Sequence, residues 1–160
     1  MIHDLSKFSP TEFIESVKYY QGTSSPIDAC KKEKGYSLAW QHHKGINKHH
    51  YEYWQDNFDS GTTHLIMPFK YNLEMICDYL GAGRAYSGKN FTYQGELEWW
   101  NNVKDSKKAM HPVNKKFTDK IMRMIALNGD NVFKKYDYLI EQLYDKYVIE
   151  YQNSLRKEQD

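Results

Sequence analysis

The sequence predicts an all-α protein, a single-domain bundle of about six helices, and three observations carry that reading. Apolar residues recur at spacings of three and four along several stretches. Those stretches are bracketed by residues that start or stop helices, and no run of alternating apolar and polar residues argues for a strand. A chain of 160 residues, 40% hydrophobic, has room for one real core, and no shift in composition divides it.

The elements follow in order. Ser9-Pro10-Thr11-Glu12 has the form of a capping box with proline at the first helical position, and Phe13, Ile14 and Val17 follow at helical spacing. This predicts a helix from Pro10 to about Tyr20, ended by the loop residues Gln21 to Pro26. Residues 27–35 are polar and poorly patterned, and carry the chain across to a helix beginning near Tyr36 that contains Trp40, His42 and His43. Gly45 and Asn47 stand where it would break before His49-His50, and residues 56–63 read as a loop with Ser60-Gly61 as its turn. Pro68 starts the next helix, with Phe69, Leu73, Ile76, Cys77 and Leu80 as its apolar stripe, Gly81 as its C-cap and Arg84 just past its end.

Glu96 to Lys107 predicts a helix carrying Trp99 and Trp100, and His111-Pro112 marks a break. Val113 to Leu127 is amphipathic, with Phe117, Ile121, Met124 and Ile125 on one side and Asn128-Gly129 closing it. The last helix begins near Asn131, and Val132, Tyr136, Leu139, Ile140, Leu143, Tyr147 and Tyr151 make a nearly heptad-spaced stripe. Residues 1–130 are therefore expected to form the helical domain. Residues 131–160 form an amphipathic helix that either packs on it or mediates a homodimer.

Composition excludes several partners. The 22 Lys and Arg nearly cancel the 21 Asp and Glu, which argues against duplex nucleic acid and against an acidic membrane surface. No run approaches the roughly 18 apolar residues that span a bilayer. Cys30 and Cys77 are too few for a disulfide framework, and Cys77 sits in an apolar run as a packed thiol. A cytoplasmic location is expected, bacterial or, for a phage-encoded chain, that of the host.

Four of the seven histidines fall between residues 42 and 50. In a continuous helix His42 and His49, and likewise His43 and His50, would be seven residues apart on one face. Such pairs suit a metal, or else they are a solvated face; both readings stand. His3-Asp4 offers a nitrogen and an oxygen ligand from adjacent positions. Asp78, with Glu74 one turn earlier, lies opposite its helix's stripe, where it is either solvated or lines a polar cleft. Trp40, Tyr51, Tyr53 and Trp54 either stack on a base or belong to the core. His64 and His111 have no partners at ligand spacing, and His111 before Pro112 reads as structural.

The order of His3-Asp4-Leu5-Ser6-Lys7, then His42-His43 or His49-His50, then Asp78, resembles the HD superfamily of all-α, metal-dependent phosphohydrolases. The phrases HDLSKFSPTEF, AWQHHKGINKHHYEYW, MPFKYNLEMICDYLGAGRA and MHP are similar to an uncharacterised bacterial and phage family, DUF5662. The first resemblance implies that His3, Asp4, His43, His50 and Asp78 hold one or two divalent metal ions: Mn, Fe, Co, Ni, Zn or Mg. It also implies that Lys7 and Arg84 neutralise phosphoryl oxygens and that His42 or His49 protonates the leaving oxygen. HD enzymes usually add a histidine from a helix upstream of the His-Asp pair; either this is a shortened version, or one of His42, His43, His49 and His50 stands in for that ligand, or the site has lost its chemistry and only binds.

The function expected is a metal-dependent phosphohydrolase acting on a nucleotide or another small phosphoester. The alternatives are a non-catalytic module of a mobile element that sequesters a nucleotide or a host protein, and a structural bundle stapled by a metal.

Overall fold

The structure, a computed structural model, describes residues 4–22 and 24–157. The all-α expectation holds, with eight α-helices and one small hairpin among the described residues. The chain divides into two compact units, the first through Tyr53 and the second from Trp54.

The first unit begins with a 3₁₀ turn, Leu5–Phe8, entered through Asp4. Helix α1, Pro10–Lys18, starts as expected, with Pro10 in the first turn and Ser9 Oγ accepting the Glu12 N–H at 3.4 Å. Its apolar residues, however, do not face inward. Phe13, Ile14 and Val17 are exposed, and the side that α1 turns toward the interior carries Glu12, which is 3% exposed, and Glu15. Hydrophobic spacing marked the helix but not the side it turns inward, which carries two carboxylates with specific donors.

Residues 27–35 are not a crossing loop. Most of them form α2, Pro26–Lys34, with proline at its start, Asp28 in the first turn, Lys31, Lys32 and Lys34 in the last, and Gly35 at φ 81° as its stop. These signals complement the helix dipole and termini. An apolar stripe is missing: Cys30 alone in the helix is buried.

Helix α3 spans Leu38–Ile46, with Ser37 Oγ accepting the Trp40 N–H at 2.9 Å. Glu15 reinforces this cap, accepting from the Ser37 hydroxyl at 2.5 Å and the Ala39 N–H at 3.2 Å. The helix ends before the second histidine pair, so the two pairs do not share a helical face. Asn47 is extended and its Nδ2 donates to the His43 carbonyl at 2.9 Å, stopping the helix. A turn through His49 and a 3₁₀ turn, Tyr51–Tyr53, follow.

The first elements of the second unit are two strands. Residues 56–63, read as loop, lie in an antiparallel hairpin of β1, Gln55–Phe58, and β2, Gly61–His64, with Gln55 opposite His64 and Phe58 opposite Gly61. Both strands are polar and largely exposed, so they carry no period-two pattern to read.

Helix α4, Phe69–Ser87, runs straight through the expected cap at Gly81 and stops at Gly88, φ 52°. Arg84 is therefore inside the helix, and Cys77 is exposed rather than packed. Gly83 has a packing reason, since a Cβ there would lie 2.0 Å from Glu96 Oε1 on α5, Tyr93–Val103. A 3₁₀ turn, Lys104–Ser106, ends the segment read as helix to Lys107. Helix α6, Pro112–Asn128, has its predicted extent and buries Val113, Phe117, Ile121, Met122 and Ile125.

The C-terminal segment is two helices, α7, Asn131–Lys135, and α8, Asp137–Lys157. They part at Tyr136, where the Asp137 carboxylate accepts the Tyr138 N–H and competes with the helical ladder. Ile140 and Tyr144 are buried while Leu139, placed in the expected stripe, is 56% exposed. Helix α8 contacts α6 and its N-cap: Glu150 pairs with Lys116 at 2.8 Å, and Tyr151 meets the His111 ring edge-on at 4.6 Å. No helix among the described residues is long and apolar enough to cross a membrane.

Candidate metal centre

The first unit has an unusual interior. Its buried apolar residues are Tyr19, Cys30 and Ala39, whereas Asp4, Glu12, Ser37, His43 and His49 are buried as well. Burying that much polarity is costly unless the groups serve one another or a ligand.

Three elements bring the groups together. Helix α3 supplies His42 and His43, the turn after it brings His49 and His50 back beside His43, and the segment before α1 supplies Asp4 and Lys7. The ring centroids of His49 and His50 are 4.3 Å apart, and those of His43 and His50 are 4.7 Å apart. Each of His43, His49 and His50 offers a ring nitrogen, and these nitrogens lie within 4.8 Å of one another. Asp4 Oδ1 is 3.4 Å from His49 Nε2 and 3.6 Å from His43 Nε2. Asp4 is held at φ 56°, and it is the one residue other than glycine with positive φ among the described residues. Aspartate tolerates that left-handed conformation better than most side chains, and its use here aims the carboxylate.

Trp40 walls the cluster, 6.2 Å from the His43 ring and edge-on to His50 at 5.0 Å, with the Lys31 ammonium 4.8 Å from its own ring. His50 Nε2 is buried with no hydrogen-bond partner among the described residues. Burial, and then the neighbouring His49 and His43, push the His50 pKa down to about 3, so its imidazole is neutral and keeps a lone pair at physiological pH.

The remaining expected site residues divide. Lys7 Nζ lies 2.6 Å from Asp4 Oδ2 with its side chain 61% exposed. His42 is not in the imidazole cluster; its Nδ1 lies 2.7 Å from Glu12 Oε1. His49, read as a proton donor, sits among the candidate ligand nitrogens instead. Asp78 is half-buried on α4 of the second unit, and Arg84 on the same helix donates to Asp130 at 2.8 Å and to the Tyr93 hydroxyl at 2.6 Å. His3 lies outside the described residues. In the second unit Trp54 packs against Tyr71, with centroids 5.7 Å apart.

Sequence reasoning missed Glu12. Its Oε2 is 2.7 Å from His43 Nδ1 and its Oε1 is 2.7 Å from His42 Nδ1. The only signal was its place in the Ser9 capping box, which pointed to helix capping. In a full box the glutamate reaches back to the N-cap amide, whereas here it is drawn to the two imidazoles.

Residues 1–124 match the model of a family described as a family of unknown function (DUF5662). No curated protein and no solved structure matches the chain.

Proposed function

The chain belongs to this family, DUF5662, and we propose that its histidine cluster is the divalent-metal centre of a phosphohydrolase acting on a nucleotide or another small phosphoester. The observation that carries the reading is the convergence of His43, His49 and His50, within 4.8 Å at their ligand atoms, with the buried Asp4 carboxylate beside them. The donor chemistry fits a metal: His50 Nε2 is buried and has no hydrogen-bond partner among the described residues, and the Asp4 carboxylate supplies charge neutralisation. A set richer in imidazole than in oxygen favours Fe, Co, Ni or Zn over Mg or Mn.

A divalent ion held there would acidify a water toward neutrality and polarise a phosphoryl oxygen. The chain's own groups supply the rest. Lys7, largely exposed yet anchored on Asp4, offers an ammonium to a phosphoryl oxygen. His42 is partly exposed and tethered through Nδ1 to Glu12, and its doubly protonated, imidazolium form would give the Nε2 proton to the leaving oxygen. The order of His-Asp and paired histidines supports the likeness to HD phosphohydrolases.

Elemental analysis of tag-free protein, followed by assays on nucleoside phosphates, cyclic nucleotides and an aryl phosphate with Mn²⁺ and Co²⁺, tests the reading. Turnover by wild type that Asp4→Ala abolishes is expected. Metal bound without turnover on any substrate would leave a binding module, and no metal at all would remove the centre.

A further inference from the structure

We propose that Glu12 is the positioning residue of this centre: its two carboxylate oxygens take the Nδ1 protons of His42 and His43 together, which leaves Nε2 as the ligand atom of His43. The inference rests on the metal reading above, but its geometry stands in the protein alone.

Glu12 is 3% exposed, and a carboxylate so buried needs strong donors. The two imidazole Nδ1 atoms stand 2.7 Å from its two oxygens, one on each. Around His43 Nδ1 there are competitors, with Ser6 Oγ and Asn47 Nδ2 each 3.1 Å away. Asn47 has two amide hydrogens, and both have better acceptors, the His43 carbonyl at 2.9 Å and Ser6 Oγ at 2.8 Å. Were His43 Nδ1 instead a lone pair, it would face the Glu12 oxygen at 2.7 Å, acceptor against acceptor. The proton therefore sits on Nδ1. The other nitrogen of the ring, Nε2, is the one 3.6 Å from Asp4 Oδ1.

The arrangement has a further consequence for chemistry. A carboxylate accepts from two donors at once, whereas the amide of a glutamine accepts through one oxygen and donates through its nitrogen. In Glu12→Gln one imidazole must offer a lone pair at Nδ1 and carry its proton on Nε2; if that ring is His43 the tautomer is wrong for a ligand at that atom, and if it is His42 the carboxylate charge that made His43 a stronger ligand is still gone. Glutamine is nearly isosteric, so the loss is of tautomer control or charge rather than of volume.

Long-range proton–nitrogen spectra of histidine-labelled, chelator-treated wild type in mildly alkaline buffer read the tautomers directly. His42 and His43 are expected to carry a proton on Nδ1; a His43 protonated on Nε2 alone overturns the proposal, and this needs no variant to fold. In Co²⁺ titrations followed by the visible spectrum, Glu12→Gln is expected to bind about 10- to 100-fold more weakly than wild type, with an altered spectrum. Wild-type affinity and spectrum in Glu12→Gln would overturn the role of Glu12 while leaving the metal centre standing. A wild type that binds no Co²⁺ would remove the metal centre and with it the ligand role of His43.

Discussion

Asn114 on α6 pairs with the backbone of Met67 at two points: its Oδ1 accepts the Met67 N–H at 2.9 Å, and its Nδ2 donates to the Met67 carbonyl at 2.8 Å. The same Nδ2 donates to Asn72 Oδ1 at 2.9 Å, Asn72 donates to Thr118, and the Tyr144 hydroxyl donates to the Met67 carbonyl. This buried network ties the start of α4, α6 and α8 together within the second unit. Truncating Asn114 leaves the Met67 N–H and Asn72 Oδ1 without partners. Asn114→Ala is expected to cost about 2–6 kcal/mol, since each of the two orphaned buried groups costs roughly 1–3 kcal/mol. Urea unfolding followed by far-ultraviolet circular dichroism measures it, and a loss near zero would mean that water replaces the side chain.

Glu15 is the device that seats α3 on α1. Burial pushes its carboxyl up, but the Ser37 hydroxyl and the Ala39 and Leu38 amides outweigh that and hold it below the ordinary range. A lowered folded value means that the stabilisation is present above the unfolded carboxyl value, about 4.3, and is lost as pH falls through the folded one. Glu15→Gln should therefore cost about 1 kcal/mol at neutral pH, as a lost helix cap does, and progressively less in acid. Denaturant midpoints of the pair across the acid range check the sign.

His111 gives the opposite group with the same direction of loss. Its Nδ1 accepts the Val113 N–H at 3.1 Å and caps α6, while burial, and then the nearby His64, hold its pKa below the usual imidazole value. The folded protein resists protonation where the unfolded chain does not, so stability falls as pH drops through about 6.5. Replacing the acceptor with one that does not titrate there removes that part of the loss. His111→Asn should lose less stability than wild type between mildly alkaline and mildly acidic buffer; equal losses would show that His111 does not contribute.

Metal removal should be visible as stability before any reaction is assayed. If the cluster binds Zn²⁺ or Co²⁺, a hundredfold excess over Kd stabilises the folded chain by about 3 kcal/mol. Differential scanning calorimetry with chelator and with metal should show the shift in wild type. His49→Ala and His50→Ala should lose it, and His64→Ala, whose ring pairs with Gln55 in the hairpin, should keep it.

The elements with apolar periodicity were legible. Helix α6 matched its predicted limits closely, and Pro10 marked a true helix start. What lacked a periodic signal was not: the polar strands β1 and β2, and α2, whose nine residues bury one side chain. Gly81 misled because glycine stops a helix only where the chain turns left-handed, and that happens at Gly88.

The sequence by itself determined the helical class and singled out His3, Asp4, His43, His50 and Asp78 as ligands by their resemblance in type and order to a known site, with His49 read as a proton donor. Tertiary structure alone decided how His43, His49 and His50 meet. Only a continuous helix would have put the two pairs on one face; the helix instead stops at Asn47, where a break was expected, and a turn folds His49 and His50 back onto His43. It also decided that α1 turns Glu12 inward and leaves Phe13 and Val17 exposed. Periodicity measures average hydrophobic gain, and it is blind to two imidazole donors that make one buried carboxylate worth more inside than an apolar stripe.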